Sequence, residues 1–527
     1  MKKFNFNFRL VVACLIITGV QACVNLDEKV YDTITEDNFY KSEEQYASVI
    51  ASVYAQIRAF TPFAFDSESL TTDEALAPTR GNNWDEGGAW RKYHDHTWTY
   101  EHIYLGQLWT LGYNIVNKAN ETIYQFTKAK NQQYKNEFLP ELFIARSYGY
   151  YYLINSYGNV PIVDRYDTPA DYLPKNGATF NEGRKAAYDF AVKDITSNIA
   201  SLSEQKGGAL YGRFNKWAAY ALLAKYYLNA ETWTGAAKWD ECIAACDEII
   251  NKGGYALESD YFANFVSKNE GSTENIFAIP FDNVRTEWGL IFYWYYLHYA
   301  EQAYYKTANQ PWNGPCAIPS FIKSFNNKDK RKKGWLIGLR ITPKGDTLKC
   351  TEDSKGMPLN YTVDFVNIYD GKDKTIYNHA NAREYFGARY AKYQIEPGLP
   401  GTSMGNDLAV FRYADILLMK AEALMRKNGG AVQEALGLVN TVRSRSFDKD
   451  PTPWTLATLT FDAILKERGW EFYNENMRRN DLIRFNKFVR GKWEFADRSG
   501  ESDTRNVFPI PQAALGANSN LTQNPGY

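Results

Sequence analysis

Paired amphipathic helices are the feature that most constrains the fold of this chain. Tyr413, Leu417 and Leu424 recur at helical spacing on one face of a predicted helix at 411–428, which Gly429-Gly430 ends. A second apolar stripe with helical spacing follows at 432–442. Two helices joined by so short a turn pack side by side as an antiparallel hairpin. The sequence therefore predicts a body built from stacked helix pairs.

The same pairing is predicted earlier in the chain, where helices at 213–229 and 239–250 are separated by a short loop. Other segments with helical periodicity lie at 42–59, 100–127, 136–157, 181–202, 461–475 and 478–488. Together these segments make about four pairs. We therefore predict a mainly α fold with a tetratricopeptide-like, right-handed helical-pair body, in which each pair buries its apolar face against its neighbours.

Residues 266–405 lack this periodicity and are predicted to form a large irregular, loop-rich insertion containing short strands. Gly, Pro and aromatic residues are frequent there, and Tyr361, Val363 and Phe365 alternate with polar residues as in a short strand. The predicted division of the chain is a signal peptide at 1–22, a lipidated tether at 23–40, the first part of the helical body at 41–265 with a first ligand-loop region at 70–100, the insertion at 266–405, the second part of the body at 406–490, and an irregular tail at 491–527.

The first 23 residues have the pattern of a bacterial lipoprotein signal. Lys2 and Lys3 precede an apolar stretch at 10–20, which is too short to span a bilayer. Ala22 places a small residue directly before Cys23, so lipidation of Cys23 is expected. The alternative is an ordinary secretory signal that is cleaved near Ala22. Because no later segment of the sequence is long and apolar enough to span a membrane, attachment is predicted to rest on the lipid at Cys23.

Charge and cysteine content exclude two classes of protein. With 60 Lys and Arg against 61 Asp and Glu, the chain lacks the dense basic surface that nucleic-acid binding requires. The four cysteines that follow Cys23 are too few for a disulfide framework in 527 residues. Pairing of Cys316 with Cys350 stays open, and so does a calcium ion at 370–373.

Several segments, in order along the chain, resemble the SusD/RagB family of glycan-binding lipoproteins from Bacteroidetes outer membranes. The matching stretches lie at 26–40, 72–81, 145–161, 411–423 (FRYADILLMKAEA), 440–443, 467–484, 509–511 and 523–527 (QNPGY). The resemblance implies a helical body with four tetratricopeptide-like pairs on the cell surface, anchored in the outer membrane. It also implies an oligosaccharide or polysaccharide ligand and a SusC-like TonB-dependent transporter as partner, over which the protein sits as a hinged lid.

Two aromatic-rich segments, at 73–98 and 288–313, contain the candidate ligand-binding residues. Sugar recognition uses flat rings against apolar pyranose faces, together with polar groups for hydroxyls. The candidate glycan contacts are Asp73, Arg80, Trp84, Trp98, Tyr296, Trp312 and Asn313. By the resemblance, Asp73, Arg80, Trp98, Tyr296 and Trp312 match best. The alternative is that most of these rings pack the insertion. A few stacking contacts and hydrogen bonds of about 1 kcal/mol each predict micromolar to millimolar affinity.

Other chemistries have weaker signals. His94, His96 and His102 could be considered as a metal site, but no carboxylate or cysteine lies at a supporting spacing. We expect no metal, no cofactor and no enzymatic activity. Charged residues at 467–484 are predicted to pair within the body, at about 0.2–0.5 kcal/mol per exposed pair. Two alternatives remain: a periplasm-facing scaffold for outer-membrane protein assembly, and a lipid-anchored glycosidase, which would need two carboxylates facing a cleft.

Overall fold

The computed structural model describes residues 40–169, 171–286 and 289–527, so Cys23, the signal peptide and nearly all of the tether lie outside the described residues. The α-helices in these ranges are α1 (Glu43–Ser69), α2 (Ala89–Asp95), α3 (Ile103–Lys128), α4 (Gln132–Tyr157), α5 (Phe180–Asn198), α6 (Lys216–Thr234), α7 (Trp239–Lys252), α8 (Phe292–Tyr296), α9 (Glu301–Tyr305), α10 (Pro319–Ser324), α11 (Tyr413–Asn428), α12 (Gln433–Ser444), α13 (Phe461–Phe472), α14 (Arg478–Arg484) and α15 (Gln512–Ala517). No helix in the described part of the chain is long and apolar enough to cross a bilayer.

The strands are all short. They are β1 (Ala75–Leu76), β2 (Asn275–Ile279), β3 (Cys316–Ala317), β4 (Trp335–Leu336), β5 (Gly338–Leu339), β6 (Asn360–Tyr361), β7 (Arg389–Tyr390), β8 (Leu408–Arg412), β9 (Lys492–Trp493) and β10 (Ala496–Asp497). They form two-stranded antiparallel ladders: β1 with β3, β2 with β8, β4 with β7, β5 with β6 and β9 with β10. The predicted mainly α fold with short strands in the insertion is confirmed.

The long helices pack in sequence order. α1 packs on α3, α3 on α4, α4 on α5, α5 on α6 and α6 on α7; after the insertion, α11 packs against α7 and forms a hairpin with α12. Glycines permit the closest of these approaches, because a Cβ on Gly112 of α3 would lie 2.9 Å from the Leu153 side chain of α4. A Cβ on Gly149 would lie 3.1 Å from Val116. Side chains of each helix therefore pack directly on the glycine backbone of the other.

The helix ends follow from local sequence. Thr179 and Glu182 form a capping box at the start of α5, in which each side chain accepts a backbone N–H of the other residue. The side chain of Asn215 accepts the N–H of Ala218 at the start of α6. Gly429, with φ of 71°, ends α11 in the left-handed conformation that favours glycine.

The irregular insertion is joined to the body by two ladders. β1, in the first ligand-loop region, pairs with β3, so that Ala75 lies opposite Ala317. β2 pairs with β8 immediately before α11, and Asn275 lies opposite Arg412. Phe411 therefore belongs to a strand, although the sequence pattern places it in a helix. Of the strand predicted around Tyr361, only β6 is present.

The four cysteines after Cys23 carry free thiols, so the pairing left open for Cys316 and Cys350 is absent. Both side chains are buried, which keeps them away from oxidants in solution. The domain boundaries drawn from the sequence stay predictions.

A buried ion network holds the second part of the body to the insertion. Arg412 pairs with Glu274, Glu471 and Glu475, and all four side chains are shielded from solvent. Although burial alone raises the pKa of Glu471, neighbouring guanidinium groups lower it to about 2. The predicted ion pairing around 467–484 is present, but the assumption that these pairs are exposed is wrong, because the segment lies inside the molecule.

Candidate functional site

An aromatic cavity of about 930 Å³ lies between the second half of α1, the loop before α2, the start of α3 and the insertion. Eleven rings line it: Phe63, Phe65, Trp84, Trp90, Tyr104, Phe281, Phe292, Tyr295, Tyr296, Tyr299 and Trp312. A concave site of this size, mostly apolar with few polar groups, is typical of small-molecule binding. We call it the aromatic cavity.

Trp84 and Trp312 form the part of the wall where the first ligand-loop region meets the insertion. The indole N–H of Trp84 donates to the carbonyl of Trp312 at 2.9 Å. The Trp84 ring lies over the backbone of Gly314, where a Cβ would come within 2.2 Å of it. Trp312 packs on Trp294, with ring centroids 3.9 Å apart, and 39% of its surface remains exposed. An indole held in this way presents a fixed apolar face to a ligand.

Few polar groups share the cavity, and two of them are carboxylates. The hydroxyl of Tyr295 lies 3.3 Å and 3.4 Å from the two oxygens of Asp66. Burial raises the pKa of Asp66 to about 7, and the nearby charge of Glu86 also raises it. Glu86 accepts a hydrogen bond from Tyr104. Arg58 and Asn83 complete the polar lining, so the cavity offers both acceptors and donors to hydroxyl groups.

The structure brings three of the seven predicted site residues to this cavity: Trp84, Tyr296 and Trp312. Tyr296 is almost fully buried, and its hydroxyl accepts a hydrogen bond from the amide of Asn474 at 2.9 Å. It therefore shapes the wall mainly through its ring, whereas Trp312 offers the most accessible face.

Arg80 and Asn313 have structural roles, contrary to the prediction. The buried guanidinium of Arg80 donates to the backbone carbonyls of Asn313, Gly314, Arg383 and Phe386. Burial lowers the pKa of Arg80 to about 9. The amide of Asn313 is fully buried as well, because it donates to the Glu384 carbonyl and accepts from Arg389. Neither side chain is available to a ligand here; together they fix the insertion to the first ligand-loop region.

Trp98 and Asp73 also lie away from the aromatic cavity. Trp98 has 0% exposure, and its indole N–H donates to the Tyr527 hydroxyl at 2.8 Å. Asp73 accepts two hydrogen bonds of 2.7 Å from Arg478 in a bidentate ion pair. The prediction that Trp98 presents a face to a ligand is therefore wrong in this structure, since its whole surface is used for packing.

The histidines considered as a metal site point to different partners. A ring nitrogen of His94 lies 3.0 Å from the Glu494 carbonyl, His96 bonds to Glu501 and to the Thr71 carbonyl, and His102 bonds to the Ala89 carbonyl. Burial lowers the pKa of His94 to about 3, so its ring is neutral at pH 7. Burial also lowers the pKa of His96, to about 4, against the opposing effect of Glu501 and the Thr71 carbonyl, two acceptors that favour the protonated ring.

A different trio of potential metal ligands, His298, Cys350 and Glu384, is buried in the insertion. Glu384 lies 2.9 Å from His298 and accepts the backbone N–H groups of Thr351, Glu352 and Ser354. His298 also accepts the N–H of Ala300. Because these ligand atoms already have protein partners, the trio serves to organise the loop.

Sequence reasoning missed the part of the cavity that comes from α1 and α3. Asp66 and Phe63 lie beyond Pro62, a residue type that ordinarily ends a helix, whereas α1 continues through it to Ser69. Tyr104 has the pattern of an ordinary core position in α3. The sequence does show one signal for the cavity, the run of aromatic residues around Tyr295, but that run belongs to the insertion and does not indicate α1 or α3.

Comparison with known proteins adds two family models. A model described as the SusD family matches residues 273–527, and one described as starch-binding associating with outer membrane matches residues 25–228. The starch-binding protein SusD of Bacteroides thetaiotaomicron is 24% identical over 427 residues, which is 73% of this chain and 72% of that relative.

Solved structures show the same fold. A laminarin binding SusD-like protein superposes with a TM-score of 0.71 at 20% identity, covering 93% of this chain and 100% of that one. The surface glycan-binding protein A from Bacteroides thetaiotaomicron, in complex with laminarihexaose, gives a TM-score of 0.69 at 19% identity, with coverage of 91% and 99%.

Proposed function

The chain belongs to the SusD/RagB family, and from this premise we propose that it is a cell-surface lipoprotein that binds a glycan in the aromatic cavity. The observation that carries the proposal is the exposed indole of Trp312 among the eleven rings that line the cavity. A pyranose ring has an apolar C–H face and an equatorial rim of hydroxyls. Indole and phenol rings suit the face, and the polar groups around Asp66 and Asn83 suit the rim.

Several features support the finer parts of the proposal. Cys23 follows a short apolar segment, as in lipidated surface proteins, and the family description for residues 25–228 names association with the outer membrane. We propose that the protein hands its ligand to a SusC-like TonB-dependent transporter as a hinged lid. Contacts of about 1 kcal/mol each suit this role, because a weakly bound glycan can be released to the transporter.

We propose binding without hydrolysis. Asp66 and Glu86 are two carboxylates in one cavity, the arrangement that glycosidases use, but each is engaged by a tyrosine hydroxyl. Prolonged incubation of the protein with the bound oligosaccharide should leave its length unchanged in chromatography. Release of shorter products by purified protein, lost in Glu86→Gln, would instead support the glycosidase alternative.

The test of glycan binding is an array screen of the soluble chain that starts after Cys23, compared with Trp312→Ala. The matched control is Tyr172→Ala, which also removes an exposed ring but lies outside the cavity lining. We expect the wild type and the control to bind the same glycans and Trp312→Ala to lose them. Absence of any bound glycan, or equal binding by Trp312→Ala, would contradict the proposal.

Location and partner have separate tests. Protease treatment of intact cells should degrade the protein if it faces outward, whereas full protection would favour the periplasmic scaffold. Affinity purification from detergent-solubilised membranes should recover a TonB-dependent transporter with the wild type. Cys23→Ala should release the protein from the membrane fraction, and retention in that fraction would contradict lipid anchoring.

A further inference from the structure

A second depression, of about 570 Å³, adjoins the aromatic cavity and shares Phe63 and Leu111 with it. We call it the side groove. The remaining residues along its walls are Tyr100, Glu101, His102, Ile103, Gly106, Gln107, Thr110, Pro511, Gln512 and Ala513. Its volume lies within the range of about 300–1,000 Å³ found for small-molecule sites.

Helix α3 separates the two depressions. Tyr104 and Leu111, seven residues apart, lie on the face that lines the aromatic cavity. Ile103, Gln107 and Thr110 follow one another at spacings of four and three, so they share a neighbouring face of α3 that lines the side groove. Leu111 lines both depressions, so the groove adjoins the cavity at this residue.

The opposite wall of the groove is a fixed part of the fold. The backbone N–H of Gln512 donates to the carbonyl of Tyr100 at 2.9 Å, which holds the segment before α15 against the start of α3. Pro511 also lies beside Gly106, where a Cβ would be 3.9 Å away. The groove is therefore formed before a ligand arrives, and little ordering entropy opposes binding.

Its surface combines an aromatic ring with amides. Tyr100 is 42% exposed, and its ring is available for stacking in the way that Trp312 is in the cavity. Gln107 and Gln512 are both exposed and carry planar side chains with a donor and an acceptor. An aromatic ring beside amide groups suits a hydroxylated ring compound better than a wholly apolar partner.

We propose that the side groove is a second glycan subsite, which holds the sugar units that extend beyond the aromatic cavity. The inference rests on the proposed glycan-binding function and goes beyond it by defining where a longer chain runs. It follows that affinity rises with oligosaccharide length, because the second contact acts on a ligand that is already held by the first.

The experiment compares calorimetric titrations of disaccharides and hexasaccharides from the maltose and laminari series, on the full soluble chain. The test variant is Tyr100→Ala combined with Gln107→Ala, and the control is Tyr172→Ala, which removes a similarly exposed ring elsewhere. Both changes are at exposed positions, so circular dichroism and the unfolding midpoint should match the wild type.

We expect the double variant to bind the hexasaccharide about tenfold more weakly than the wild type, the equivalent of one stacking contact and part of a hydrogen bond, and to bind the disaccharide equally. Equal hexasaccharide affinities in variant and wild type would overturn this inference alone and would leave the groove as a protein-docking surface. If the wild type binds neither series, the same comparison uses the short and long oligosaccharides of the glycan it binds on the array. Failure of the wild type to bind any glycan on the array would overturn the proposed function and this inference with it.

Discussion

Replacement of Trp98 by alanine separates a packing role from a ligand contact. In the structure Trp98 has no exposed surface, packs on His96 and Phe508, and donates a hydrogen bond to Tyr527. A ligand cannot reach this ring without local unfolding. The substitution should therefore lower stability and leave the glycan-binding site of the folded protein intact.

The magnitude follows from the contacts. Truncation of a fully buried Trp to Ala costs about 3–5 kcal/mol, since a large cavity forms in a packed interior. The lost hydrogen bond adds little to this free-energy cost, because the Tyr527 hydroxyl still donates to the Val507 carbonyl at 2.7 Å. By contrast, Trp312 is partly exposed, and Trp312→Ala should cost only about 1–2 kcal/mol of stability.

The assay has two readouts on the same samples. Urea unfolding, followed by fluorescence, gives the free energy of unfolding, and titration at low urea gives glycan affinity of the folded fraction. Trp98→Ala should show a large loss of stability with unchanged affinity. Trp312→Ala should show a small loss of stability and should no longer bind the glycan. A Trp98→Ala protein with wild-type stability and abolished binding would refute the assignment of this residue to the core.

Three further predictions concern the cavity and the ion network. The pKa of Asp66 is raised to about 7 in the folded protein, so this residue contributes stability at acidic pH that is lost as the pH rises towards 7. Asp66→Asn should therefore remove that part of the pH dependence when thermal unfolding is measured between pH 4 and 8. Glu471→Gln removes a buried carboxylate shared by Arg331, Arg412 and Arg445 and should lower the free energy of unfolding by about 3–5 kcal/mol in urea. Gly314→Ala should displace the Trp84 ring, weaken glycan binding in titration and destabilise by about 1–3 kcal/mol.

Matched control substitutions test whether these effects are specific to the chosen positions. Gly371→Ala adds the same methyl group where no atom lies within 4 Å, and it should change neither binding nor stability. Asp171→Asn removes an exposed carboxylate and should leave the pH profile of unfolding as in the wild type. An unchanged profile in Asp66→Asn, or equal effects of the two glycine substitutions, would contradict the reasoning.

Helical periodicity predicted the body well because it depends on local sequence. Apolar spacing and the Gly429 turn place α11 and α12 within one or two residues of their observed ends. The same reasoning failed at Pro62, since tertiary packing carries α1 through a proline whose local effect is to end a helix. Likewise, the β2–β8 ladder joins residues more than a hundred positions apart, which no local pattern reveals.

The sequence predicted an aromatic site, and three of its seven candidate residues line the cavity. Residue type indicates that Trp84, Trp98 and Trp312 suit a sugar, yet it does not tell which ring faces solvent. Distant partners decide this exposure: Tyr527 bonds to the fully buried Trp98, whereas Trp312 packs on Trp294 and keeps 39% of its surface exposed. For Arg80 the deciding partners are backbone carbonyls, which the sequence does not display.

The bond between Trp98 and Tyr527 also bears on how the molecule assembles. It links residues 429 positions apart, and Arg505 adds a second link to the Trp98 carbonyl at 3.0 Å. Pairings of such separation form late in folding, after nearby helices have already condensed. Trp98 consequently reaches its final packing only when the segment 505–527 has docked. A chain truncated before this segment would keep most of its helices but would leave the Trp98 indole without its hydrogen-bond partner.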